Sequence, residues 1–257
     1  MGDGGLCTFG RQIVNGYRRP GLPASVARQL RQQAGFGCAK CGHPYIEYHH
    51  IVPWAQEQHF RPEDMVALCG NCHPSVSILG NDRQYAIKAN PFNIAEGRFQ
   101  GALAYDKRDL TFKVGGNWYA DTPIILRLCN TPLISCRLKN GQAMISLMML
   151  DEECHQTLAI QDNEIIFRTD DMWDFKYSHN LITAHSAPRD VQLKIDLRGE
   201  EAIIEGKLQI GKAKIELSAN ETVLPGYNSM KGCHIHGCSV AIQLGDENET
   251  LPVRCRI

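Results

Sequence analysis

The 257-residue chain predicts an α+β protein in two parts: a small cysteine-knuckled module over residues 1–95 and a β-rich domain over residues 96–257. Three observations predict it. The length suits two ordinary domains, because cores divide a chain every ~100–200 residues. Two Cys-x-x-Cys pairs, Cys38/Cys41 and Cys69/Cys72, lie near the N-terminus. From about residue 97 onward apolar and polar residues alternate with the period of two expected of half-buried strands.

Composition narrows the class. A hydrophobic content of 43% with 21% charged residues lies in the globular range, which argues against a disordered or fibrous chain. No stretch offers the ~20 apolar residues of a membrane helix, and the opening residues lack the build of a secretion signal, so a cytoplasmic protein with no membrane partner is expected. The formal net charge of −1 is unevenly spread. Residues 1–46 hold Arg11, Arg18, Arg19, Arg28, Arg31 and Lys40 against the single acid Asp3. Charge alone leaves a phosphate-binding surface and an ordinary solvated face equally open.

The first predicted element is a short helix over Val26 to Gln33, with Pro23 near its first turn and Val26, Leu30 and Gln33 on one face. Arg28 and Arg31 fall on its other faces. The knuckles follow. Eleven cysteines under reducing conditions are read for metal before disulfides. Two residues between thiolates let both sulfurs turn toward one ion at ~2.3 Å, and two such pairs complete the tetrahedron of structural zinc. Cys38, Cys41, Cys69 and Cys72 are therefore the predicted zinc ligands, with Gly42 and Gly70 easing the turns. Four buried apolar cysteines are the plainer alternative.

Between the knuckles stands Glu47-Tyr48-His49-His50-Ile51-Val52-Pro53-Trp54; Asp64 lies five residues before Cys69, and His73 directly follows Cys72. With the upstream run from Arg18 to Cys38, this pattern resembles the zinc-knuckle branch of the HNH endonucleases over about residues 18–95. The resemblance implies a treble-clef-like ββα-metal fold, with His50 as general base and His49 and His73 holding a catalytic divalent metal. Adjacent strand residues face opposite ways, so this assignment requires a local twist or bulge if both imidazoles of the doublet serve one site. The family's usual asparagine is replaced by Asp64, which accepts a hydrogen bond but cannot donate one, and whose charge would raise the pKa of a nearby His50. A further histidine one turn past His73 is replaced by Ser77, a poor ligand, which suits Mg or Mn, or else Ni, better than a tight zinc site. Glu47 is placed to orient a histidine. His43 and His59 are expected to be surface residues.

The stretch 88–97 combines turn formers with Pro91 and reads as the module's exit. Beyond it, one-sided sets are Ile124/Leu126/Leu128, Ile145/Leu147/Met149, Ile165/Phe167, Val191/Leu193/Ile195/Leu197 and Ala213/Ile215/Leu217. Turn signals separate them at Gly115-Gly116-Asn117, Asn140-Gly141, Asp162-Asn163, Arg198-Gly199 and Gly211. About ten short strands predict a sandwich, a barrel or a solenoid-like stack. Trp118 and Trp173 are expected as core anchors. Cys233, His234, His236 and Cys238 offer a weaker metal set, with buried cysteines the plainer reading there and at Cys129, Cys136, Cys154 and Cys255.

Together these readings predict a metal-dependent endonuclease acting on DNA, with RNA left open, that contacts phosphates through Arg18, Arg19, Arg28 and Arg31. Its cofactors would be one structural Zn and a catalytic Mg, Mn or Ni. The β-rich domain would direct or gate it through a protein partner or small-molecule trigger, a homodimer is compatible, and the family resemblance implies a bacterial or phage setting, with restriction or antiphage defence expected first. The alternative is a non-catalytic nucleic-acid-binding or scaffold module whose HNH site has decayed.

Overall fold

Residues 20–226 and 228–254 are described by a computed structural model. The N-terminal part comprises α1 (Ala24–Gln33), β1 (Glu47–His50), β2 (Met65–Leu68), α2 (Cys72–Ser77), α3 (Asn81–Ala89) and α4 (Phe92–Glu96). Pro23 precedes α1 as its N-cap, where a missing N–H costs nothing. Strands β1 and β2 form an antiparallel pair in which Glu47 faces Leu68, His49 faces Val66 and His50 faces Met65. All four β2 residues are buried, so this strand is the floor of the module. A small core of Ala34, Cys38, Ala39, Ile51, Val66, Ala67, Leu68, Cys69 and Val76 surrounds it.

Seventeen strands follow in the described residues: β3 (Arg98–Ala102), β4 (Thr111–Val114), β5 (Asn117–Ala120), β6 (Ile124–Leu128), β7 (Thr131–Lys139), β8 (Gln142–Leu150), β9 (Gln156–Gln161), β10 (Glu164–Arg168), β11 (Asp174–Ser178), β12 (Leu181–Ala187), β13 (Asp190–Asp196), β14 (Ala202–Ile210), β15 (Ala213–Leu217), β16 (Thr222–Leu224), β17 (Asn228–Met230), β18 (His234–His236) and β19 (Val240–Leu244). Sequential hairpins run from β6 to β10 and from β11 to β17, and β3 pairs with β10. The long β14 is the branch point. It pairs with β13 and β15, takes β4 in parallel, and touches β8 through Gln209 opposite Leu150. Among the described residues the ladders thus branch without closing on themselves, and they form no closed barrel. Parallel additions of β18 to β5 and β19 to β6 extend the network.

Alternation delivers the expected core at Ile145, Leu147, Met149, Ile165, Phe167, Leu193, Ile195, Ile215 and Leu217. Two sets depart from it because bulges break the period. In β6 a register shift between Ile124 and Leu126 buries Ile125 beside Leu126. Irregular pairing around His185 leaves Val191 37% exposed. The tryptophans are not core anchors either. Trp118 is half-buried, its ring stacked on His234 at 4.6 Å, and Trp173 lies where α1 meets the β-rich part. Cys136 is buried as expected, Cys129 and Cys154 are half-exposed, and Cys255 lies outside the described residues. No described helix is long and apolar enough to cross a membrane.

Side chains from α1 and the first knuckle fasten the two parts together. Arg31, 8% exposed, grips Asp174 of β11 through Nε and Nη2 at 2.8 and 2.7 Å, and its Nη1 donates to the Tyr48 hydroxyl at 2.8 Å. Arg28 covers the Trp173 ring at 4.6 Å, and Gln32 donates to the Trp173 carbonyl. Phe36 takes a left-handed backbone, φ 65°, uncommon for a bulky residue; its ring is set against Phe167 and belongs to the large β-domain core. Removing one partner of a buried ion pair costs about 3–5 kcal/mol, because the other is left unpaired. Asp174→Ala should therefore destabilise the full chain to chemical denaturation by that amount, and Arg31→Met combined with Asp174→Leu should recover most of it; unchanged stability in the single variant would show that the pair does not join the parts.

Candidate active site

Backbone geometry builds the knuckles first. The Cys38 N–H donates to the His43 carbonyl at 2.9 Å, and the Gly42 N–H to the Cys38 carbonyl at 2.8 Å, closing a tight turn. Gly42 has φ +75°, and a Cβ there would lie 2.5 Å from Asn93 Oδ1, so glycine is required. Gly70 has no such need, since a Cβ there would approach only Glu47 Oε1 at 4.0 Å. The second knuckle opens α2: the Cys72 and His73 N–H groups both donate to the Cys69 carbonyl, at 3.0 and 2.9 Å.

The four sulfurs converge. All lie within 4.8 Å of one another, with Cys41–Cys69 at 3.7 Å and Cys72–Cys41 at 3.6 Å. A tetrahedral ion bound at ~2.3 Å would separate its sulfurs by about 3.8 Å, so the set fits structural zinc. Burial pushes the Cys38 and Cys72 thiols up, while hydrogen bonds from Cys72 and Cys41 outweigh burial and hold Cys69 down. Among the described residues the sequence's weaker metal set does not assemble: His234 stacks on Trp118 and His236 pairs with Asp121.

The histidine doublet separates onto two faces, as strand alternation requires, and the regular β1–β2 register has no bulge that would turn both rings to one side. His49 turns toward α2, its Nδ1 2.9 Å from His73 Nε2, with ring centroids 4.8 Å apart. Its Nε2 lies 2.8 Å from Gln84 Oε1, while the Gln84 amide nitrogen donates to the Leu79 carbonyl at 2.8 Å. His73 Nδ1 lies 2.9 Å from Glu47 Oε2. Both outer partners are acceptors, so each ring donates outward, and in the neutral rings two lone pairs face each other. Only a proton or a metal ion between them relieves that contact. At 2.9 Å the two facing nitrogens are close enough to ligate one metal ion. Burial holds His49 below the usual histidine range despite its bond to Gln84.

His50 turns the other way, into an aromatic corner of Trp54, His59 and Phe60 with ring centroids at 5.6, 5.0 and 6.2 Å. Its Nε2 donates to the His59 carbonyl at 3.0 Å, which makes Nδ1 the basic nitrogen of the neutral ring. His59 is 7% exposed rather than a surface residue: Nε2 donates to the Val52 carbonyl at 3.0 Å and Nδ1 accepts from the Arg61 N–H at 3.2 Å. Asp64 braces the same loop. Its carboxylate accepts from Tyr85 and Arg61 Nε, both at 2.7 Å, and these bonds hold its carboxyl below the usual range. Arg61 also clasps Glu57, and the Asp64 carbonyl accepts from the Ile51 N–H at 2.8 Å.

The HNH endonuclease family model matches residues 37–77. This segment is similar to the HNH endonucleases. The match spans both knuckles, the β1–β2 hairpin and α2, and no family model matches the β-rich part. No curated protein and no solved structure matches the chain. An HNH module carries nuclease-class chemistry at the family level, with a nucleic acid as its substrate.

Other expected site residues are placed differently. Arg31 is committed to Asp174 and Tyr48 within the protein, which removes it from the phosphate-binding set, and Arg28 lies over Trp173. Arg18 and Arg19 lie outside the described residues. Ser77 donates to the Pro74 carbonyl of its own helix. The position beside His49 is filled instead by Gln84, 35 residues away in sequence and outside the HNH match, so no local motif signals it. His43 is exposed as expected.

Purified protein should contain about one zinc per chain. Cys38→Ser or Cys72→Ser should lose it together with the cooperative melting of the HNH module, because metal and folding free energy are the same quantity at such sites. Full zinc retention and an unchanged melting temperature in both variants would show that the sulfurs do not share an ion.

Proposed function

We propose that the chain is a metal-dependent endonuclease that hydrolyses phosphodiester bonds in DNA. The observation that carries this reading is the facing pair His49 Nδ1 and His73 Nε2, 2.9 Å apart, each ring held from outside by an acceptor. Two imidazoles would hold the cation, and water and a phosphate oxygen would complete its sphere, a mixed set that favours Mg, Mn or Ni over tightly held zinc. When bound, the ion supplies positive charge against the developing phosphorane and the leaving oxygen.

His50 provides the base. Its Nε2 is committed to the His59 carbonyl, so Nδ1 would take the proton from the attacking water, which requires a phosphate to reach both faces of β1 at once. The Val52 carbonyl and the Arg61 N–H fix His59, so the base rests on backbone rather than on the amide that the family places at position 64. Asp64 serves the loop through Arg61 and Tyr85. The β-rich part directs or gates cleavage: Asp174 of β11 reaches Tyr48, the neighbour of His49, through the single guanidinium of Arg31. Restriction or antiphage defence in a bacterial cytoplasm is the setting this reading fits. A nucleic-acid-binding module without chemistry is the second reading, favoured by Ser77 at the place of a ligand and by the diversion of Asp64 to Arg61.

Supercoiled plasmid incubated with the full chain and Mg, Mn or Ni should be nicked, and His50→Ala should slow nicking by roughly 100-fold or more, the range a positioned base contributes. Binding of the plasmid with no cleavage in any of the three metals would favour the second reading.

A further inference from the structure

We propose that Gln84, on a helix beyond the HNH match, is a positioning residue that sets the tautomer of His49 and so presents Nδ1 to the cation. This rests on the assignment of His49 and His73 as metal ligands. Three observations support it. Gln84 is 4% exposed, yet its amide makes two directed hydrogen bonds. The bond from Nε2 to the Leu79 carbonyl fixes the amide's orientation, since a flipped amide would set two oxygens against each other and aim an N–H donor at His49. With Oε1 thus toward the ring, His49 Nε2 is the protonated nitrogen and Nδ1 keeps its lone pair toward His73.

The arrangement is symmetric in its chemistry. Glu47 acts on His73 as Gln84 acts on His49, each acceptor drawing the N–H away from the shared gap. Leu79 lies just past the end of α2, the helix that starts at Cys72 and carries His73, and Gln84 lies on α3. The amide therefore ties the end of the His73 helix to the His49 strand. The neutral amide holds the ring as an acceptor without adding charge beside the ion.

The test uses the full-length, zinc-loaded chain labelled with 15N-histidine and no second metal added. Long-range 1H–15N correlation should show His49 protonated at Nε2, and Gln84→Glu, which keeps an acceptor, should preserve that pattern. Gln84→Met, which keeps the volume without the acceptor, should shift His49 toward the Nδ1-protonated form and weaken Mn binding about 10–100-fold by calorimetry, while zinc content stays at the parental value and the melting temperature falls modestly with the lost Leu79 bond. An unchanged tautomer and Mn affinity in Gln84→Met would overturn the proposal. So would equal losses of Mn affinity in both variants with the parental tautomer, which is the signature of a packing role. His49→Ala separates the layers: parental Mn affinity in that variant refutes the ligand assignment itself, whereas lost affinity there with a silent Gln84→Met refutes the role of Gln84 alone.

Discussion

Convergence of four sulfurs at the foot of a two-stranded hairpin is the constraint on which the rest of the N-terminal part depends. Strands β1 and β2 are four residues each, and such a pair is marginal in water without further support. The loop between them runs from Ile51 to Asp64, and closing a loop of that length costs entropy that so few ladder bonds do not repay. An ion held by the four sulfurs would supply the difference. Leu68 runs directly into Cys69, and Cys72 begins α2, so drawing the two knuckles together sets the strand register and the origin of the His73 helix in one event.

The division of labour within the histidine doublet follows from that register. Opposite faces of one strand give His49 to the helix side and His50 to the loop side, so each imidazole meets a separate set of partners. On the helix side two imidazole nitrogens face each other 2.9 Å apart. On the loop side His50 donates to the His59 carbonyl. The loop needs its own fastening, which Asp64, Arg61, Tyr85 and buried His59 provide.

What the sequence makes legible is what short spacing encodes. The knuckles, the doublet and His73 are local patterns, and the alternation at Ile145–Met149 or Leu193–Ile195 reports burial without knowledge of partners. Contacts across long separations leave no such trace. Arg31 lies on what reads as the polar side of α1, and only the arrival of Asp174 from 143 residues away turns that side inward. Gln84 is invisible for the same reason, and so is the count of strands, since β4, β5 and β16 to β18 are too short to show a period. Bulges at Ile124–Leu126 and around His185 shift the pleat by one residue and defeat strict alternation.

The central claim is that the zinc-stapled hairpin and its helix place two imidazole nitrogens on one divalent cation. Electron spin-echo envelope modulation of Mn(II) added to the zinc-loaded full-length chain reads that sphere directly. The account predicts modulation from two histidine nitrogens, falling to one in His49→Ala and in His73→Ala; an all-oxygen sphere in the parent protein would contradict it.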